Sequence, residues 1–294
     1  MAAGGYEILA LVDPDGTARR DASRIWGARA VGKIVADTTG IENADLVVVA
    51  GAGDARATQI DQALKLRPKV LLVEKPLAAD AASGRRIVEA IAAQGATLRV
   101  NFNRRFDPGH AAIKARLAAT PRKIVMRYGK GLRNYASHMI DLLLDWFGQV
   151  DCVQAFGDPP TDDGPLDFRC RMTSGFDAVL LGMNGLGYDQ FEIDLFFADH
   201  RLELADGGVV KRGYGAVQGR VYAGYTHLTD APEILHRGIV GGFVETYRAV
   251  GGFLATGKPL GGCGPEDALA GLAIIDAALA SARSGGKAID PNAR

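Results

Sequence analysis

Val70-Leu71-Leu72-Val73-Glu74-Lys75-Pro76 is a run of four apolar residues closed by two charged residues and a proline. Continuous apolar character over so short a stretch is the pattern of a strand covered on both faces, and proline lacks the amide that a continuing strand would need. The runs at 8–12, 46–50 and 98–101 have the same texture. Between them lie amphipathic stretches at 15–26, 54–66 and 80–94, each opened by an aspartate that can cap free amides and complement the helix dipole. Strand, turn and helix repeated in this order predict a doubly wound, Rossmann-like parallel sheet with right-handed crossovers as far as Arg105.

Beyond Asp107-Pro108 the texture changes. Helices are expected at 109–119, 137–147 and 265–282, the last opened by Pro265, and alternating stretches at 168–172, 178–183 and 191–197 read as strands of a largely antiparallel sheet. A chain of 294 residues exceeds the usual growth of a single core. We therefore expect a parallel-sheet domain over 1–120 and an α+β domain with a large open sheet over 121–294. Phe191, Ile193, Leu195 and Phe197 fall at period two, and an apolar face of that kind needs a cover. A homo-oligomer built through that face is the expectation.

Lys plus Arg and Asp plus Glu balance at 34 each, which supplies no field to concentrate nucleic acid or an anionic membrane surface. Cys152, Cys170 and Cys263 stand far apart and signal neither a disulfide framework nor a metal site. No apolar run approaches the roughly 20 residues that span a bilayer, and Met1 to Gly5 lack a basic leader. The pattern fits a cytoplasmic protein acting on a small molecule.

Two segments carry candidate chemistry. Ligands of open α/β sheets bind beyond the carboxyl ends of the strands, which is where Lys75 falls, able to donate a proton or hydrogen bond to a hydroxyl or carbonyl oxygen. Taken alone it is equally a solvated lysine at a strand end. In Asn134-Tyr135-Ala136-Ser137-His138-Met139-Ile140-Asp141 the imidazole is the natural acceptor for a hydroxyl proton, and Asp141, one helical turn on, shares its face. A histidine that caps or bridges helices is the competing reading.

The strand end Val12-Asp13-Pro14-Asp15, the Glu74-Lys75-Pro76 tripeptide, the run Asn103-Arg104-Arg105-Phe106, the segment Ser137-His138-Met139-Ile140-Asp141 and Pro265-Glu266-Asp267-Ala268 occur in that order. Together they resemble the glucose-fructose oxidoreductase and inositol dehydrogenase family, Gfo/Idh/MocA, over nearly the whole chain. The resemblance implies an NAD(P)-binding domain, a substrate domain whose open sheet often builds an oligomer interface, and hydride transfer between the cofactor and a sugar, nucleotide sugar or polyol. It makes Lys75 the proton-handling lysine and His138 the substrate-binding or base residue, brought together across the crevice between the domains. Asn134 stands where many members carry an aspartate, so it orients a hydroxyl without accepting its proton. Asp13, Ala50, Gly51, Glu74, Lys75, Asn103 and Arg104 are the implied cofactor contacts. Asp13, suited to a ribose hydroxyl, favours NAD, whereas Arg19 and Arg20 keep NADP open.

The family's first strand and GxGxxG turn, which cradles the pyrophosphate, would precede Tyr6, where only Met1 to Gly5 stand. Ala50-Gly51-Ala52-Gly53-Asp54 has GxG spacing, but Arg56 occupies the third glycine's place and Asp54 repels phosphate. Three expectations follow: an oxidoreductase whose cofactor binding is weak or lost, a relative without turnover that acts as a binding or assembly protein, or a sequence that starts late.

Overall fold

The computed structural model describes residues 5–26, 32–51, 53–219, 224–238 and 241–293. The chain forms two compact units, one of Met1–Asn101 with Phe243–Pro265 and one of Phe102–Gly242 with Glu266–Arg294.

The first unit contains β1 (Ala10–Val12), α1 (Gly16–Trp26), β2 (Lys33–Val35), β3 (Leu46–Val49), α2 (Arg56–Leu64), β4 (Val70–Val73), α3 (Ala81–Ala93) and β5 (Thr97–Val100), the expected elements with one unexpected strand, β2. All pairings are parallel, but among the described residues the strands form two sheets, β1-β2 and β3-β4-β5, rather than one. Every residue of β4 is buried, which explains its unbroken apolar run. The aspartate caps act where expected at two helices: Asp15 accepts the Thr17 amide at 2.7 Å and Asp80 the Ser83 amide at 2.7 Å. At α2 the cap is Ala55 without a side-chain bond, and the Asp54 side chain lies outside the described residues. Tyr6 is half-buried and donates to the Tyr247 carbonyl at 2.6 Å, yet Leu9 and Val12 are 44% and 42% exposed, so β1 is not shielded along its length.

The second unit contains α4 (Pro108–Lys114), capped by Asp107, followed by β6 (Lys123–Tyr128), α5 (Ser137–Phe147), β7 (Val150–Phe156), β8 (Asp167–Met172), β9 (Asp177–Gly182), β10 (Phe191–Phe196), β11 (His200–Ala205), β12 (Val210–Gln218), β13 (Thr226–Leu228) and β14 (Glu233–Arg237). The strands make one sheet in the order β13-β12-β11-β10-β6-β9-β8-β7, with β14 also on β12. The pair β6 and β9 is parallel, inside an otherwise antiparallel sheet. The chain then returns to the first unit through α6 (Gly242–Thr256), and α7 (Pro265–Arg283) closes the second. The compact units therefore do not follow a single division at residue 120. The reason lies in contacts of 243–265: Val250 and Leu260 pack with Val70, and the Val100 amide donates to the Cys263 carbonyl at 3.0 Å.

Phe191, Ile193 and Leu195 are at most 1% exposed, because they share a core with Met139, Ile140 and Leu143 of α5 and Ile275 of α7. The apolar face thus has its cover within the unit and does not call for a second subunit. The opposite face mixes charged residues with apolar ones such as Val125, Val179 and Phe196. Arg127 and Arg201 both reach Asp194, and Arg201 and Arg212 both reach Glu203. Among the described residues no helix is long and apolar enough to cross a membrane.

A turn at Asn103–Phe106 is locked to two helices by Arg105. Its Nε donates to both Asp141 oxygens at 3.0 and 2.9 Å, and its Nη1 donates to Asp267 at 2.6 Å. With the Arg105 and Asp141 side chains 6% and 3% exposed, removal of one partner strands a buried charge. Arg105→Ala is expected to cost about 3–5 kcal/mol, read as a lower denaturation midpoint at unchanged slope. A loss below about 1 kcal/mol, the scale of a surface pair, would contradict the burial argument.

Candidate active site

In the first unit β3, β4 and β5 end in register, with Val49 beside Val73 and Val73 beside Val100. The residues just beyond are Ala50 and Gly51, Glu74 and Lys75, and Asn101. Arg56, 4% exposed, ties them: its guanidinium donates to the Glu74 carbonyl and, at 3.1 Å, to the Gly51 carbonyl. Burial disfavours its charge and lowers its pKa, and the Glu74 carboxylate opposes that shift. Asn101 donates from Nδ2 to Glu74 Oε1 at 2.6 Å. At Gly51 a Cβ would lie 2.0 Å from Gln59 Nε2, so glycine is what lets the Gln59 amide lie against this loop.

Two acceptors remain. Gln59 Oε1 and Asn101 Oδ1 are buried and take no hydrogen bond from the described residues. Buried polar atoms are paired in the great majority of cases, so this strand-end set suits a ligand that brings donors, such as the carboxamide and ribose hydroxyls of a nicotinamide nucleotide. Lys75 follows, half-buried, with a cis peptide bond to Pro76. At the end of β1, Asp13 Oδ1 accepts the Asp15 amide at 2.8 Å, while Arg19 donates to the carbonyls of Asp13 and Pro14 at 2.7 and 2.8 Å. Arg19 is thus spent on its own turn. Ala52 of the GxG loop and Met1 to Gly4 lie outside the described residues.

The remaining sequence-predicted residues belong to the second unit. Gly131, at φ 87 and ψ 163, leads into one turn of π-helix over Leu132–Ala136 that runs directly into α5. Asp163 holds this turn by accepting the Arg133 amide at 2.6 Å and the Asn134 amide at 3.1 Å. Asn134 is exposed, and His138 is half-buried, edge-on to Phe102 with ring centres 5.4 Å apart. Asp141, expected on the face of His138, is engaged instead by the Arg105 guanidinium. The Arg104 guanidinium sits 3.8 Å from the centre of the Phe191 ring, and the Asn103 carbonyl packs so closely on Gly242 that a Cβ there would be 2.5 Å away. Asn103 and Arg104 therefore share a unit with Asn134 and His138, and Asp13, Ala50, Gly51, Glu74 and Lys75 share the other.

Sequence reasoning misses Arg56, Gln59 and Asp163. Arg56 reads as a failed glycine motif, Gln59 as a helix surface residue and Asp163 as part of a turn; only the fold shows what each one holds. It also misses a cavity of about 500 Å³ walled by the loops at 129–131, 163–165 and 183–189. This cavity lies just past Tyr128 and Gly182, the carboxyl ends of the parallel pair β6 and β9.

A family model described as an oxidoreductase family with an NAD-binding Rossmann fold, Gfo/Idh/MocA, matches residues 1–102. The match to the Gfo/Idh/MocA family thus covers about the first third of the chain. Among its relatives, an inositol 2-dehydrogenase of Renibacterium salmoninarum is 34% identical over 113 residues, covering 38% of this chain and 34% of that protein. The chain thus spans only about a third of the first relatives it matches. An inositol 2-dehydrogenase of Rubrobacter xylanophilus aligns more widely, at 28% identity over 83% of this chain and 74% of its own. An oxidoreductase of Agrobacterium radiobacter, solved with NAD+, L-tartaric acid and magnesium, shares the fold at a TM-score of 0.75 and 16% identity, covering 97% of this chain and 91% of its own. The super-repressor mutant of Gal80p from Saccharomyces cerevisiae shares it at 0.80 and 16%, covering 98% and 91%.

Gly131 tests the local geometry. An alanine Cβ would come within 1.9 Å of the Asp163 carbonyl oxygen, and the backbone conformation is one that only glycine adopts without strain. Gly131→Ala is expected to lose about 1–3 kcal/mol and to speed hydrogen exchange at the Arg133 and Asn134 amides. An unchanged melting temperature with unchanged exchange would refute this role for Asp163.

Proposed function

We propose that the protein is an NAD(P)-dependent oxidoreductase that transfers a hydride between the nicotinamide and a hydroxyl-bearing carbon of a sugar or polyol. The observation that carries this reading is the set of strand-end groups in the first unit, where Arg56 and Glu74 fix Asn101 and leave Asn101 Oδ1 and Gln59 Oε1 as buried acceptors. The match of residues 1–102 to an NAD-binding family and relatives named inositol 2-dehydrogenase support it.

When bound, the cofactor supplies the hydride chemistry. The protein's part is to hold the reactants and move a proton. Asn101 and Gln59 would accept hydrogen bonds from the nicotinamide side of a bound cofactor, and Asp13 from a ribose hydroxyl. Arg19 donates to carbonyls 13 and 14 and Arg20 to the Thr17 hydroxyl, so both candidate cations are engaged within their own turn and helix, which supports NAD over NADP. Lys75 donates a hydrogen bond to the substrate oxygen. In the oxidising direction the hydroxyl proton passes to the His138 imidazole as its carbon gives up hydride, and in the reducing direction the imidazolium returns it. Asn134 orients a neighbouring hydroxyl.

The test is turnover of a panel of neutral polyols and sugars with NAD and with NADP, for the unaltered chain and for Lys75→Met and His138→Gln. Loss of a positioned acid or base is expected to lower kcat/KM by roughly 10²–10⁴-fold in each variant. Variants as active as the unaltered chain would remove both residues from the mechanism.

A further inference from the structure

The parallel pair β6 and β9 sits inside an antiparallel sheet, and side-by-side carboxyl ends leave a concavity that no hairpin closes. That concavity is the cavity of about 500 Å³, which lies wholly in the second unit. Lys130 and Asp189 form an ion pair on its wall, and both are about half exposed. The Lys130 ammonium also lies 5.2 Å from the Tyr135 ring centre, which keeps it beside the turn that carries Asn134. Asp163, on the same wall, already accepts two backbone amides from that turn. Tyr188 lines the cavity and is 66% exposed.

We propose that this cavity selects the substrate, admitting neutral polyhydroxy compounds and turning away phosphorylated or carboxylated ones. The inference rests on the oxidoreductase reading for the reaction but stands on its own geometry for binding. An ion pair offers a donor and an acceptor side by side, which matches a vicinal diol: one hydroxyl donates to the Asp189 carboxylate while its neighbour's oxygen accepts from the Lys130 ammonium. The Tyr188 ring supplies an apolar face for the ligand's carbon-bound hydrogens. Two carboxylates against one ammonium leave the wall with a net negative charge, so an anion meets repulsion and has to displace Asp189 to reach Lys130.

The experiment is ligand-observed NMR and calorimetric titration of the full chain with myo-inositol, D-glucose, D-glucuronate and D-glucose 6-phosphate. The unaltered chain, Asp189→Asn and Lys130→Met are compared. The unaltered chain is expected to bind at least one neutral probe and to bind both anions at least tenfold more weakly. Both variants are expected to weaken the neutral probe by roughly tenfold or more, the scale of one charge-assisted hydrogen bond, and Asp189→Asn is expected to strengthen the anions. Absence of binding by both neutral probes, anions bound as tightly as neutral probes, or neutral binding unaltered in both variants would overturn the proposal. NAD titration of the same samples separates it from the reaction. If NAD binds and turnover occurs while both variants leave neutral-probe affinity intact, the selection by Lys130 and Asp189 fails alone. If polyol binding responds to the variants and no dinucleotide binds, the oxidoreductase reading fails and the inference holds.

Discussion

A fully buried parallel strand cannot end in solvent-starved polar atoms without partners, and the first unit is organised around that constraint at β4. Val70, Leu71, Leu72 and Val73 are all at most 1% exposed, so the groups beyond Val73 emerge from a medium that penalises unpaired donors and acceptors. A buried arginine answers two carbonyls there, and Asn101 answers the Glu74 carboxylate. What the described residues leave unanswered, the acceptors Asn101 Oδ1 and Gln59 Oε1 and the donor Arg56 Nε, is then informative as a set a ligand could complete. The same constraint accounts for Gly51: the Gln59 amide needs the space a side chain would fill.

The second unit solves a different problem. Its sheet must bury one face against α5 and α7 and remain stable on the other, and the open face does so with cross-strand charges. Asp194 is 4% exposed beneath Arg127 and Arg201, which accounts for a carboxylate on a strand whose alternate residues are core. Such a pair is tolerated because each charge has more than one partner. Arg105 plays the corresponding part at the helical layer, joining the Asn103–Phe106 turn to α5 and α7, and so it fixes the helix on which His138 is carried.

The parts of the fold legible in the sequence are those whose stability comes from burial or from local caps. The runs at 46–50, 70–73 and 98–101 become parallel strands, and Ser137–Phe147 is a helix over the expected residues, because continuous apolar character leaves little choice. β11 and β12 carry Arg201, Glu203, Lys211 and Arg212, and their order comes from pairs formed across strands, which no local pattern announces. The fully buried Lys211, held by the Gly238 carbonyl at 2.9 Å, is equally invisible in the sequence. The period-two apolar residues of β10 are legible as a covered face, but the identity of the cover is not. At the site, Lys75 and His138 stand out through their segments. Arg56 and Asp163 do not, since their partners are backbone groups of other segments.

Fold likeness extends here to an oxidoreductase solved with NAD+ and to a super-repressor mutant, so the claim that separates the possibilities is the one about the cofactor. Isothermal titration of the chain with NAD and with NADP tests it most directly. The account predicts saturable one-site binding of NAD, between micromolar and millimolar, tighter than that of NADP and weakened when Asn101 is changed to leucine. Flat titrations with both dinucleotides would contradict it.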